Sequence, residues 1–130
     1  MAMIALALLL AAQILPAPDS IPVWEPLPDD EEGRHFYDPA SISRDGDIAR
    51  VVYRSIFREL DEADARSMMR RIQIHCAART IGLEVADVYG DDGRLIESRG
   101  AEGDTVYFQP IDAADIPPHW VRLAERACGR

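Results

Sequence analysis

Asp115-Ile-Pro-Pro-His-Trp-Val-Arg-Leu-Ala-Glu-Arg-Ala-Cys128, followed by Gly129, carries the clearest helical pattern in the chain. Asp115 is a helix-capping residue type, and Pro117 and Pro118 suit a first turn, where a missing backbone N–H costs little. Trp120, Leu123, Ala124, Ala127 and Cys128 then recur at i, i+3, i+4, i+7 and i+8, which makes one apolar stripe. Arg122, Glu125 and Arg126 fall opposite it, and Gly129 suits the left-handed position that ends a helix. The spacing predicts a short helix with one face for burial, and its last apolar residue is one of two cysteines in the chain. The other, Cys76, ends a strand-like run. Together they imply a sheet with a C-terminal helix stapled across it.

Working upstream, the strand signals come in hairpin spacing. His35-Phe36-Tyr37 is a strand candidate stopped by Asp38-Pro39, and Ser41 to Asp47 reads as a turn in which Gly46 supplies positive φ. Ile48 to Arg58 fits either period, but Val-Val-Tyr and the preceding glycine turn favour a strand. As a strand it puts Ala49, Val51, Tyr53 and Phe57 on one face and Ile48, Arg50, Val52, Arg54, Ile56 and Arg58 on the other. Glu59 to Arg66 is a charged connector. Met68, Ile72, Ile74 and Cys76 share the next face, with Arg71, Gln73 and His75 turned away. After Cys76 the apolar parity changes to Ile81, Leu83 and Val85, so a bulge or bend is expected near Ala77-Ala78. Asp91-Asp92-Gly93 signals a hairpin between Val85–Tyr89 and Arg94–Ser98. A further turn is expected over Arg99–Asp104, and a last strand over Thr105–Gln109. The pattern is α+β: an antiparallel sheet of five or six strands with one C-terminal helix.

The other end of the chain sets the compartment. Met1 to Leu15 carries no charged side chain. It is short of the about 20 residues a membrane span needs, and it fits a signal-peptide apolar region. No Lys or Arg precedes the run and no clean small-x-small site follows, so a buried N-terminal helix or an uncleaved anchor stays open as the alternative. Residues 1–20 are read as a signal peptide, 21–33 as a proline- and acid-rich lead-in, and 34–130 as a single domain. Five prolines between Pro16 and Pro28 make that lead-in extended, with Trp24 as its large apolar group. In an exported chain an even cysteine pair reads as a disulfide, here Cys76 with Cys128. A loop of that length is worth about 4 kcal/mol in the chain-entropy model.

The formal net charge of -9 argues against nucleic acid as a partner. All 14 basic residues are arginine, and a GC-rich coding bias explains that without a selected anion contact at each. His35, His75 and His119 stand far apart without metal-ligand spacing, so no metal or other cofactor is expected and each reads as a surface or strand-edge residue. The acidic residues beside Gly46 and Gly93 read as turn chemistry rather than a calcium loop. Neither a nucleophile elbow nor a phosphate-binding glycine loop is present, and nothing marks the chain as an enzyme.

Two short segments carry a family resemblance. Phe36-Tyr37-Asp38-Pro39-Ala40-Ser41-Ile42-Ser43-Arg44 resembles the Tyr-x-Asp-Pro-x-Ser-Ile-x-Arg segment of the surface-adhesin protein E-like family. Ile74-His75-Cys76-Ala77-Ala78-Arg79 resembles its Asp-Cys-x-x-Arg strand, with His75 at the acid. The Trp24 lead-in, the Tyr89/Gly93 hairpin and the helix ending in Cys128 fit as well. The tryptophan usual before the final proline segment is replaced by Tyr107 or Phe108. The resemblance implies a small exported bacterial protein of the periplasm or cell surface, with the helix disulfide-tethered to the sheet.

The function expected is an exported cell-envelope binding module whose partner is a protein or matrix component. The alternative is a periplasmic inhibitor or chaperone-like factor acting on a basic enzyme such as a lysozyme. Contact residues are expected on the face away from the helix: Arg50, Val52, Arg54 and Ile56, extended by Arg71. Arginine interleaved with β-branched residues suits protein contact, because it offers both an apolar stem and a bidentate head. The competing reading folds the lead-in and Trp24 over these residues.

Overall fold

The computed structural model describes residues 23–61, 63–100 and 106–129. The expected signal segment, the start of the lead-in and the turn expected after Gly100 lie outside them. The strands are β1 (Glu25–Pro26), β2 (Gly33–Tyr37), β3 (Ser43–Asp45), β4 (Ile48–Phe57), β5 (Ala65–His75), β6 (Thr80–Gly90), β7 (Leu95–Gly100) and β8 (Gln109–Pro110), and the helix is α1 (Pro118–Cys128). The sheet is antiparallel in the order β1-β2-β4-β5-β6-β7, with β3 added beside β4 and β8 beside β6.

Six strands therefore form the main path, and two short ladders extend the expected count. Ser43–Asp45, expected within a turn, pairs with β4 because Gly46 at φ 61 reverses the chain in two residues. The strand expected over Thr105–Gln109 shrinks in the described residues to Gln109–Pro110. Pro110 has no N–H to give a ladder and sits on the short edge strand β8, where none is needed.

The parity change after Cys76 has a different origin from the one expected. Residues 76–79 are the turn joining β5 to β6, with Arg79 at φ 57 and His75 paired to Thr80. The bulge lies further on. Arg71 pairs with Val85 and Ile72 with Leu83, which leaves Glu84 as the extra residue. Val85 is thereby moved off the face of Ile81, and Ala86 and Val88 take its place.

The core fills one face of the sheet. Ala49, Val51 and Tyr53 of β4, Ile72 and Ile74 of β5 and Ile81 of β6 meet Leu123, Ala124 and Ala127 of α1. Leu27 joins them from the lead-in. Fully burying each of the larger side chains is worth about 1.5–3 kcal/mol. The helix starts later than expected: Pro117 takes the N-cap position, no side chain caps it, and Asp115 stays exposed. Gly129 does end it, at φ 79, with its N–H bonded to the Glu125 carbonyl. Cys76 and Cys128 are joined, so the helix is tied to the β5–β6 turn.

The far face is partly closed at its β6 end. The 106–108 segment crosses it so closely that a Cβ on Gly82 would lie 2.6 Å from Val106 Cγ1 and 2.7 Å from the Tyr107 carbonyl oxygen. Gly82→Ala is expected to lose about 1–3 kcal/mol by forcing this segment off the sheet. A urea midpoint equal to that of the parent chain would show that 106–108 does not rest there.

Candidate functional site

β4 presents Ile48, Arg50, Val52, Arg54 and Ile56 on the face away from α1, and all five are half-buried. Register places Arg71 opposite Val52 on the same face, and Arg54 between Phe36 of β2 and Met69 of β5. The five predicted contact residues are thus adjacent, and two side chains that were not singled out belong with them. Phe36 extends the apolar part, with the Arg34 guanidinium 5.1 Å above its ring centroid. Its signal was alternation with His35 and Tyr37. Glu84 is the other, and it faces this way by alternation with Leu83, whose partner Ile72 points inward.

Glu84 stands between two arginines. Arg50 Nε is 3.4 Å from Glu84 Oε2, and Arg71 Nη2 is 3.4 Å from Glu84 Oε1. The first contact has the distance of an ion pair without the alignment of a hydrogen bond. Arg71 Nε and Glu84 Oε2 are shielded from water and have no hydrogen-bond partner among the described residues. Half-exposed pairs at such distances contribute about 0–1 kcal/mol. The trio thus combines half-exposed guanidinium groups with two shielded, unpaired atoms. Within the described residues, β1 of the lead-in pairs with the outer edge of β2, at Phe36 and Tyr37.

On the helix side lies a second cluster, which corrects the reading of two histidines as surface residues. His35 and His119 are 0% and 2% exposed. Their rings stack with centroids 3.7 Å apart and planes 9° from parallel. His35 shares the inner face of β2 with Tyr37, and His119 sits in the first turn of α1. His35 Nδ1 is 2.7 Å from Ser55 Oγ, and its Nε2 is 2.8 Å from Asp30 Oδ1. Asp30 Oδ1 also accepts the backbone N–H groups of Glu32 and Gly33, which folds the lead-in loop around it. Burial alone would raise the Asp30 carboxyl, but the hydrogen bonds from His35 and Gly33 hold it below its usual range. Burial and then the neighbouring His35 push His119 down to about 4. Neither nitrogen of His119 has a hydrogen-bond partner among the described residues.

Beside this cluster, Tyr53 and Arg70 tie the layers together. The Tyr53 hydroxyl accepts from Trp120 Nε1 at 2.7 Å and from Arg70 Nη1 at 2.9 Å. Arg70 reaches on to Glu32 Oε1 at 3.3 Å. An open groove follows at this end of the sheet, with Phe57, Ala65 and Met68 as apolar lining and Glu31, Glu32 and Asp61 among its acidic residues. The third histidine, His75, stays on the outer face, 4.3 Å from the Phe108 ring.

The family model for surface-adhesin protein E matches residues 24–129. Solved structures of Haemophilus influenzae protein E share the fold. One crystal form aligns with a TM-score of 0.54 at 13% identity, covering 92% of this chain and 99% of that one. The structure from non-typeable Haemophilus influenzae aligns with a TM-score of 0.57 at 14% identity, covering 91% and 83%. No curated protein matches the chain in sequence. With the sheet, the tethered helix and a family match over nearly all the described residues, this chain belongs to the surface-adhesin protein E family.

Proposed function

We propose that the chain is an exported binding module of the cell envelope, not an enzyme, and that it docks a protein or matrix component on the outer face of β4. The observation that supports this reading is the Arg50–Glu84–Arg71 trio, half-exposed and not fully hydrogen-bonded, set beside Val52, Arg54, Ile56 and Phe36. A partner carboxylate or backbone carbonyl would pair with the exposed parts of the Arg50 and Arg71 guanidinium groups, while Val52, Ile56 and Phe36 supply apolar area. Family membership favours the cell surface as the place of action. No helix among the described residues is long and apolar enough to cross a membrane.

The test is affinity capture from envelope extract with the oxidised domain as bait. Arg54→Glu combined with Val52→Ser is expected to abolish capture and to leave stability within about 0.5 kcal/mol, as for other surface changes. Collapse of stability would make this face part of the core, and unchanged capture would move the contact elsewhere.

The inhibitor or chaperone-like reading draws on a different surface, the acidic groove around Phe57 and Met68. Opposite charge would speed encounter with a basic enzyme, and that gain falls with salt. Capture of a basic periplasmic protein that disappears on raising the salt, and that tolerates Arg54→Glu, is the outcome this reading requires. Binding of whole cells to host matrix is the outcome required by the adhesin reading.

A further inference from the structure

Asp30, His35 and His119 come from a loop, a strand and a helix, yet each offers a ligand atom within 4.8 Å of the others. We propose that these three side chains form a binding site for a divalent transition-metal cation of the zinc type. Two imidazoles and one carboxylate are a donor set that suits zinc, with a fourth position left for water or another ligand.

Three features point to an occupant. His119 is 2% exposed, and both its ring nitrogens lack a hydrogen-bond partner among the described residues. Leaving such groups buried and unpaired costs about 1–3 kcal/mol each, and a ligand removes part of that cost. His35 is already oriented as a ligating histidine. In the metal-bound form its Nδ1–H donates to Ser55 Oγ, which leaves the Nε2 lone pair directed at the Asp30 carboxylate. Asp30 presents the third donor. Its Oδ1 is anchored by the loop N–H groups, while Oδ2 lies 3.7 Å from His119 Nδ1.

Asp30 also gives the ion a way in. Its side chain is 27% exposed and borders a surface depression with Asp29, Glu31 and Arg58. Three acidic residues there favour approach of a cation. The stacked rings define what binding must change. Lone pairs of imidazole nitrogens lie in the ring plane, so two rings 9° from parallel do not aim at one point. One of them has to turn. It is His119, because Ser55 and Asp30 hold His35 and no hydrogen bond holds His119. The ion would then join the lead-in loop, β2 and α1 at one point.

The test uses the untagged, oxidised chain, stripped with a chelator and titrated with zinc chloride. One equivalent is expected to bind and to raise the melting temperature by roughly 10 °C at saturation. Cobalt in place of zinc is expected to give the visible absorption of a four-coordinate site. His119→Gln and Asp30→Asn should each weaken binding by about ten-fold or more, whereas His75→Gln should not change it. In the unmodified chain, one equivalent of zinc should shift the His35 and His119 ring resonances and leave those of His75 in place. That measurement decides the matter even where a variant fails to fold. Absence of binding, or binding that depends on His75 and leaves the His35 and His119 resonances unmoved, overturns the site. Partner capture plays no part in these readouts, so the site and the docking face stand or fall separately.

Discussion

Cys76→Ser and Cys128→Ser are each expected to destabilise the oxidised protein by about 4 kcal/mol. The bond closes a loop with a sequence separation of 52, and cutting it restores the freedom of that loop to the unfolded chain. Domains of this size hold about 5–15 kcal/mol in total, so the loss is a large fraction of stability. The helix is 11 residues long, too short to persist alone, and besides the bridge its docking rests on His119 stacked on His35, on Leu123, Ala124 and Ala127, and on the Trp120 indole N–H. Both single variants and the double variant remove the same bond, so the three should have one urea midpoint rather than additive shifts. Additive shifts would mean that each sulfur also matters through its own packing. Unchanged midpoints would mean that the tether carries no stability.

Tyr53→Ala is expected to cost about 3–5 kcal/mol, the range for truncating a buried aromatic residue. Tyr53 is 0% exposed and lies in the centre of β4. Its ring borders both histidines, at centroid distances of 6.5 Å to His35 and 5.5 Å to His119. Tyr53→Phe separates ring from hydroxyl. The phenylalanine fills the same space but leaves Trp120 Nε1 without its acceptor, at about 1–3 kcal/mol, while Arg70 Nη1 keeps Ser55 Oγ at 3.3 Å. Urea midpoints for the two variants measure the two contributions, and Trp120 emission reports whether the helix has shifted. A Phe variant as stable as the parent chain would refute the hydroxyl as an anchor for the helix.

Both results rest on residues that periodicity exposes. Alternation along Ile48–Phe57 is enough to turn Ala49, Val51 and Tyr53 inward, because a strand with one covered face has no other way to bury them. The same alternation turns Arg50, Val52, Arg54 and Ile56 outward. The disulfide was legible once export was read from Met1–Leu15, since compartment decides whether two cysteines pair. Three things were not legible, each for a physical reason. The bulge at Glu84 depends on how β6 meets β5, and one strand's own pattern does not contain that. The two-residue reversal at Gly46 makes a strand of Ser43–Asp45, where the turn signal masked it.

The histidine cluster is the largest omission. His35 and His119 are 84 positions apart in number, and only the docking of α1 over β2 and β4 brings them together. A local clue existed. His119, Leu123 and Ala127 recur every fourth residue, so the buried stripe includes His119 while Trp120 lies half-buried at its side. Taking the stripe from Trp120, the bulkier side chain, placed that histidine on the wrong side of the helix.

The tether between Cys128 and the β5–β6 turn also sets how the domain would carry mechanical load. Tension applied at Gly129 does not peel α1 from the sheet turn by turn. It passes through the sulfur bridge into the end of β5, a strand held on both sides by β4 and β6. Force along a strand in the middle of a sheet has to shear many backbone hydrogen bonds together rather than unzip them singly. The bridge also withholds the 52-residue loop from extension, about 180 Å of contour at roughly 3.5 Å per residue. An oxidised domain pulled by its C-terminus should therefore yield a shorter extension than its reduced form by that length.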